Sequence, residues 1–166
     1  MYQTNYYIAL GTNIGNYKSN FSKAIFELKK FCNIVKQANI YKSKPYGYLK
    51  QNYFYNSMVQ VRSAMLPSEL MKNLQLIEKK LQKNKRIING PRKIDLDIIF
   101  WDLKIIKNKS LCIPHPRASE RDFVLIPLRD ISPFFRHPVS RETIKDLIIK
   151  LEDRYVISKL NYYNFI

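Results

Sequence analysis

The segment KIDLDIIFW holds two acidic residues, Asp95 and Asp97, among apolar neighbours. Side chains alternate along a β-strand, so both carboxylates would share one face, with their α-carbons roughly 7 Å apart. Burying two like charges costs several kcal/mol unless a cation compensates them. Carboxylates at this separation can bind one hard cation such as Mg²⁺, or a pair of cations. The bare pattern is also typical of two solvent-facing aspartates on an exposed sheet.

Cationic side chains flank this segment on both sides. Arg92 precedes it, and the stretch PHPRASERDF after it adds His115, Arg117 and Arg121. Carboxylates for Mg²⁺ beside bidentate cationic donors predict a clamp for a polyphosphate. For His115 the alternative is a turn residue held between two prolines. The loop GTNIGNYK lacks the Walker A pattern, so side chains and Mg²⁺ would hold the phosphates of ATP.

The apolar pattern predicts the elements that must position these residues. Strands are predicted at NYYIALG, NIVKQANIYKS, YFYNSMVQVRSA and KIDLDIIFW. One helix is expected over roughly 17–32, and a second begins at Pro67 with an apolar stripe at Leu70, Leu74, Ile77 and Leu81. A small hairpin, DLKIIKNKSLCI, follows the fourth strand, and helices follow near Phe123 and over roughly 143–152.

This order, β-α-β-β-α-β with a C-terminal extension, predicts an α/β (α+β) protein of the ferredoxin-like type. Its antiparallel sheet would carry the helices on one face, and a C-terminal hairpin and helices would follow. We expect residues 1–166 to form a single domain. RNA-recognition domains share this topology. Their sequence motif is absent here, and the acidic fourth strand would repel a phosphate backbone, so no nucleic-acid partner is expected.

The net charge of +16, from 29 basic and 13 acidic residues, favours a polyanionic partner such as ATP. An AT-rich genome, which enriches Lys and Asn, would produce the same excess. No apolar run approaches the roughly 20 residues of a membrane span, and the first residues do not resemble a secretion signal. With two cysteines and no CxxC pair, we expect a cytoplasmic protein without a thiolate metal site.

The sequence GPRKIDLDII resembles the signature of the 6-hydroxymethyl-7,8-dihydropterin pyrophosphokinases, enzymes of folate biosynthesis. Other stretches match in the same order, up to about residue 135: YYIALGTNIGN, YKSKPYG, QNYFYN, LIEKKL and IPHPRASERDFVLIPL. The resemblance implies a ferredoxin-like fold and an Mg²⁺-dependent transfer of diphosphate from ATP to the pterin hydroxymethyl group, leaving AMP. A nucleotidyl transferase using the same carboxylates is the alternative, and it would release free pyrophosphate instead.

The resemblance also implies roles for individual residues. Two magnesium ions would lie on Asp95 and Asp97. The catalytic residues would be Arg92, Asp95, Asp97, His115 and Arg121. The nucleotide would be bound by Gln75, Glu78, Lys83, Lys85, Ile98, His115 and Arg121. The pterin would be bound by Ser43, Tyr46, Gly47, Phe54, Asn56, Asp95 and Phe123. Read from the residues alone, Glu78 is an ordinary solvated helix charge, and Phe54 and Phe123 are core aromatics.

Two departures from the family pattern bear on these roles. The segment 82–89, QKNKRIIN, lacks the usual aromatic before Gly90, and we interpret it as a mobile basic lid over the phosphate site. Ile87 and Ile88 either cap the site or anchor the base of this lid. Tyr46 stands where a smaller aliphatic residue is usual. The expected partners are the small molecules ATP and 6-hydroxymethyl-7,8-dihydropterin, with no membrane contact and a monomeric state.

Overall fold

The fold is an antiparallel β-sheet with helices on both faces, seen in a computed structural model that describes residues 3–82 and 90–160. Along the chain the elements are β1 (Thr4–Thr12), α1 (Tyr17–Leu28), β2 (Asn33–Gln37), β3 (Ile40–Ser43), β4 (Phe54–Ser63), α2 (Pro67–Leu81), β5 (Asp95–Trp101), β6 (Ile106–Lys107), β7 (Cys112–Ile113), α3 (Asp122–Ile131), α4 (Ile144–Lys150) and β8 (Val156–Leu160). None of the helices in this part of the chain has the length and hydrophobicity that crossing a bilayer requires.

The sheet has the strand order β5-β1-β4-β3-β8, and β2 pairs with the far end of β4. This order, with α1 and α2 as the connections, confirms the predicted ferredoxin-like arrangement. The predicted second strand over 33–43 is in fact two strands. The break falls at Asn39, whose backbone N–H and side-chain amide both donate to Asp130 of α3 rather than to β4.

Two apolar layers cover the two faces of the sheet. One face packs against α1 and α2, where the predicted stripe on α2 is buried at Leu70, Leu74 and Ile77. The opposite face packs against α3 and α4, through residues such as Phe100 and Leu125. The C-terminal helices thus cover the face that the first two helices leave open, and the functional side chains lie beside them on that face.

The C-terminal extension ends in a strand that the sequence analysis did not predict. β8 pairs antiparallel with β3, with Lys159 opposite Tyr41. Its five residues, VISKL, are half-exposed or exposed and follow a charged stretch, so they lack the apolar alternation that identifies a buried strand. Pairing with β3 extends the sheet by one strand beside the loop that follows Ser43.

The outer side of β5 is an edge of the sheet, and its backbone groups are taken by side chains and loops. Glu78 on α2 accepts a hydrogen bond from the Leu96 N–H at 2.8 Å, and Gln82 donates to the carbonyl of Ile94. Farther along, the His115 N–H donates to the carbonyl of Ile99 at 3.0 Å. Because Glu78 and Gln82 are one helical turn apart, the end of α2 can supply hydrogen-bond partners to the backbone at the start of the acidic strand.

We predict that Glu78 stabilises the fold through this contact. In Glu78→Ala the buried Leu96 N–H loses its acceptor, which should lower the free energy of unfolding by about 1–3 kcal/mol. Glu78→Gln keeps an acceptor oxygen, so its free energy of unfolding should lie between those of Glu78→Ala and the wild type. Urea denaturation measures the effect, with Gln75→Ala, an exposed residue of the same helix, as the control. Unchanged stability in Glu78→Ala would contradict this role.

Candidate active site

Three residues on neighbouring strands form a row across one face of the sheet. Gly11 of β1 lies opposite Asp95 of β5 on one side and opposite Asn56 of β4 on the other. Two strand spacings separate the Asp95 and Asn56 α-carbons by roughly 10 Å. Gly11 has no side chain to fill the gap: an added Cβ would lie 3.4 Å from Asn56 Oδ1 and 3.9 Å from the Asp95 Cβ. Its φ is not positive, so the backbone conformation does not require glycine, and an added Cβ would meet both neighbours in van der Waals contact.

A cleft of about 260 Å³ lies above this row. Strands β1, β4 and β5 form its floor, and the loop after β3, the segment before β5 and the start of α3 form its walls. Its lining residues are Gly11, Ser43, Lys44, Tyr46, Phe54, Asn56, Arg92, Asp95, Asp97, His115, Arg121 and Phe123. The fold therefore brings carboxylates, cations and aromatic rings from four separate stretches of the chain to one place.

The two carboxylates have different surroundings. Asp95 forms an ion pair with Arg92, with 2.9 Å between Oδ2 and Nη1. Burial raises the pKa of Asp97, and the nearby charges of Asp95 and Glu78 raise it further, while Arg121 and Arg92 oppose the shift. A cation held between the two carboxylates would remove this repulsion. A bulge between Ile98 and Phe100 ends the alternation that keeps both aspartates on the cleft face.

The cationic wall of the cleft is built around His115 and Arg121. The Nδ1 atom of His115 accepts a hydrogen bond from the Arg117 N–H at 3.2 Å, so the proton of the neutral ring lies on Nε2. Burial lowers the pKa of His115, and the positive charge of Arg121 lowers it further. Arg121 Nε is buried without a hydrogen-bond partner in the part of the chain that the structure describes. An anionic ligand in the cleft would supply one.

The other end of the cleft is aromatic and carries an amide. Asn56 is 8% exposed, and its Nδ2 donates to Ser43 Oγ at 2.7 Å, which fixes the amide and leaves Oδ1 beside Gly11. Phe54 and Phe123 both line the cleft and are half-buried. The Arg92 guanidinium lies 5.7 Å from the centre of the Phe54 ring. A flat heterocycle with a donor–acceptor edge fits such a combination of rings and a fixed amide.

Comparison with known proteins shows which family this chain belongs to. Residues 7–133 match the model of the 7,8-dihydro-6-hydroxymethylpterin-pyrophosphokinase (HPPK) family. The chain belongs to the HPPK family. It is 36% identical over 140 residues to the 2-amino-4-hydroxy-6-hydroxymethyldihydropteridine pyrophosphokinase of Aquifex aeolicus (strain VF5), which covers 84% of this chain and 88% of that protein. Membership of the predicted family is thereby confirmed.

Other HPPK relatives are larger than this chain. The folic acid synthesis protein fol1 of Pneumocystis carinii is 45% identical over 148 residues, which are 89% of this chain but 20% of that protein. The wild-type Plasmodium falciparum HPPK-DHPS structure aligns with a TM-score of 0.72 at 18% identity, over 90% of this chain and 45% of that one. At that identity the likeness concerns the fold alone. The names of the relatives support the predicted pyrophosphokinase activity in folate synthesis.

Some of the residues predicted for the HPPK site do not line the cleft. Gln75 is exposed on α2, whereas Glu78 on the same helix is 4% exposed and bound to β5 rather than solvated. The Ile98 side chain is buried in the core against α1 and α2, so only its main chain could meet a nucleotide. Gly47 has a positive φ of 79° and is exposed in the loop after β3. These nucleotide and pterin roles stay predictions.

All of the proposed lid 82–89 except Gln82 lies outside the described residues. The roles of Lys83, Lys85, Ile87 and Ile88 therefore stay predictions. Gln82 is described, and its side chain binds the carbonyl of Ile94 at the base of that segment.

The structure adds three residues that sequence reasoning missed. Gly11 forms the floor and Lys44 part of the wall. Asn13 makes two hydrogen bonds with the backbone of Arg92. The Asn13 N–H donates to the Arg92 carbonyl at 3.0 Å, and the Arg92 N–H donates to Asn13 Oδ1 at 2.8 Å. Its Nδ2 also donates to Gln51 Oε1 at 2.9 Å. A glycine inside a strand signals close approach of a neighbour, so Gly11 could have been predicted.

We predict that Arg121 controls the titration of His115. Removing the positive charge of Arg121 relieves its repulsion of the imidazolium, so Arg121→Ala should raise the pKa of His115, whereas Arg121→Lys should leave it depressed. Two-dimensional NMR of the imidazole signals against pH measures this. His137, the other histidine, provides an internal control because burial rather than Arg121 lowers its pKa. A His115 pKa that is unchanged in Arg121→Ala would contradict the assigned geometry.

Proposed function

We propose that this chain transfers the diphosphate of ATP to the hydroxymethyl group of 6-hydroxymethyl-7,8-dihydropterin, giving AMP and the pterin diphosphate. In this reaction the hydroxymethyl oxygen bonds to the β-phosphorus, the bond from that phosphorus to the oxygen of AMP breaks, and the hydroxyl proton is lost. The observation that carries the proposal is the row Asp95–Gly11–Asn56. It sets a carboxylate and a fixed amide on opposite sides of an open floor, within one cleft.

The amide side of the cleft would bind the pterin. Its amino-oxo edge offers both a donor and an acceptor, and an asparagine amide matches such an edge. Asn56 is held by Ser43, so it loses little side-chain freedom on binding. Phe54 and Phe123 would stack on the two faces of the heterocycle, and the loop of Tyr46 and Gly47 would close the site beside them.

The carboxylate side of the cleft would bind the phosphates. Neutral His115 offers Nε2–H as a donor, and Arg121 offers a guanidinium whose buried Nε has no partner among the described residues. Arg92 can exchange its ion pair with Asp95 for a phosphate oxygen once the Asp95 carboxylate binds a cation. Gln75, Glu78, Ile98, Lys83 and Lys85 belong to the proposed nucleotide side as well.

The donor set fits magnesium that is shared with the substrate. No group of three or more His, Cys, Asp or Glu residues within 3–82 and 90–160 is arranged to hold a metal ion alone. Mg²⁺ typically takes one or two carboxylates and completes its octahedron with phosphate oxygens and water. Asp95 and Asp97 would therefore hold two Mg²⁺ ions together with ATP. When bound, the ions neutralise phosphate charge and lower the pKa of the attacking hydroxyl.

We also propose the domain organisation, the oligomeric state and the cellular compartment. One sheet runs from β5 to β8, which supports the proposed single domain over residues 1–166. We propose a monomer as its working state. Cys32 and Cys112 are both free thiols, as a reducing cytoplasm favours.

We predict that Asp95→Asn and Asp97→Asn each lower kcat by roughly three orders of magnitude, because each removes charge that holds the metal. Both variants should stay folded, since the substitution relieves a like-charge pair. Chromatography of the products from ATP, Mg²⁺ and the pterin measures turnover and also tests the reaction. AMP with a diphosphorylated pterin supports the proposal, and free pyrophosphate with an adenylated pterin would overturn it. Glu69→Gln, which removes an exposed carboxylate on α2, is the matched control.

We also predict that Asn56 serves the pterin and not the nucleotide. Asn56→Ala leaves the edge of the heterocycle unpaired and should weaken pterin binding roughly tenfold or more. Its ATP affinity should stay nearly unchanged. Calorimetric titration with each ligand separates the two effects. Gln60→Ala, which removes an amide from the same strand outside the cleft, is the control. Equal losses for both ligands would show that Asn56 supports the cleft as a whole.

A further inference from the structure

Three aromatic rings meet at the wall of the cleft, and one of them comes from the C-terminal extension. Tyr46, Phe123 and Tyr155 contact one another edge to face, with ring centres 6.0, 5.3 and 5.9 Å apart for the pairs 46–123, 46–155 and 123–155. Tyr46 and Phe123 line the cleft. Tyr155 lies behind them and beyond residue 133, where the match to the family ends. We call these three residues the ring cluster.

The backbone at Tyr155 joins the two walls of the cleft. Its carbonyl accepts a hydrogen bond from the Lys44 N–H at 2.9 Å, on the loop that follows β3. Its own N–H and that of Val156 donate to Asp122 Oδ2 at 2.8 and 2.9 Å, at the start of α3. Asp122 is 1% exposed, so this carboxylate is a fixed anchor. The segment before β8 therefore ties the Tyr46 loop to the residue that precedes Phe123.

The ring cluster has solvent behind it. A second hollow, of about 310 Å³, lies on the far side of Tyr46 and is lined by Tyr46, Tyr155, Ser119, Glu120, Lys150, Leu151, Glu152 and Asp153. Among the described residues that line this hollow, Tyr155 is the only aromatic one besides Tyr46. A loop ring with solvent behind it would otherwise move between rotamers, so the Tyr155 ring is what restricts Tyr46 from that side.

The ring cluster also contacts Arg121, a cation of the cleft wall. The Arg121 guanidinium lies 5.0 Å from the centre of the Tyr46 ring and 5.8 Å from that of Phe123. Arg117 lies 4.7 Å from the Tyr46 ring. These are cation–π distances. The Tyr46 ring is thus also in contact with two guanidinium groups.

We propose that Tyr155 is a positioning residue for the pterin, because its ring holds Tyr46 and Phe123 in the arrangement that receives the heterocycle. This inference rests on the proposed function. A wall that is already ordered loses less conformational entropy when a ligand binds, so affinity for the pterin depends on a ring that does not touch it. The backbone hydrogen bonds of Tyr155 do not involve its side chain, so the anchoring of β8 and the support of the rings can be separated by substitution.

The test compares Tyr155→Ala and Tyr155→Phe with wild type. Calorimetry gives Kd for 6-hydroxymethyl-7,8-dihydropterin and, separately, for ATP with Mg²⁺, and steady-state kinetics give KM for each. Tyr155→Ala should raise Kd and KM for the pterin roughly tenfold while those for ATP change less than about twofold. Tyr155→Phe keeps the ring and should restore pterin binding to within about twofold of wild type. Ile157→Ala, an exposed residue of β8, is the control and should bind both ligands normally.

Each other outcome overturns the inference in a recognisable way. A Tyr155→Ala protein with a lower Tm but an unchanged Kd for the pterin would show that Tyr155 only anchors β8. Equal losses for ATP and pterin would show a general effect on the cleft, and a Tyr155→Phe variant as weak as Tyr155→Ala would assign the effect to the hydroxyl. Wild-type protein that binds no pterin would overturn the proposed function and this inference together. If wild type and Tyr155→Ala bind the pterin with the same Kd, this inference alone is overturned.

Discussion

The electrostatic repulsion between Asp95 and Asp97 is the constraint around which the site is arranged. Both carboxylates lie on the same face of an edge strand, and burial together with their mutual repulsion raises the pKa of Asp97. Such a pair is stable only where positive charge is near. Arg92 and Arg121 approach from two different parts of the chain and supply it. The same two guanidinium groups are available to a polyphosphate. The groups that stabilise the buried carboxylates are therefore also the ones that would bind the phosphates.

Space is the second requirement, and it comes from the strand between the acids and the amide. On the cleft face of β1, Ala9 lies opposite Asp97 and Gly11 lies opposite Asp95. A larger side chain at either position would fill the floor. The edge position of β5 has a related consequence, because its free backbone groups need partners. Glu78 takes one and the His115 N–H takes another, so the contact that completes the sheet edge also sets the histidine beside the acids.

The C-terminal extension lies outside the β-α-β-β-α-β core of the fold, yet it supports the walls of the cleft. β8 adds to the sheet beside β3, and the segment that leads into it binds Lys44 on one wall and Asp122 on the other. The Tyr46 ring contacts the Tyr155 ring there. A ring that lines the cleft and a segment beyond the matched residues are thus in direct contact.

The sequence by itself determined the features that depend on local periodicity. Alternation along KIDLDIIFW placed both aspartates on one face, and the apolar stripe of α2 identified its buried side, because strand and helix periods belong to the chain rather than to its neighbours. Only the tertiary structure decided what depends on pairing between distant residues. It split the second strand at Asn39, turned Glu78 from a solvated charge into a buried partner of β5, and brought Tyr155 against two aromatic rings of the cleft wall. No local pattern encodes such contacts, since each joins residues that lie 18 or more positions apart along the chain.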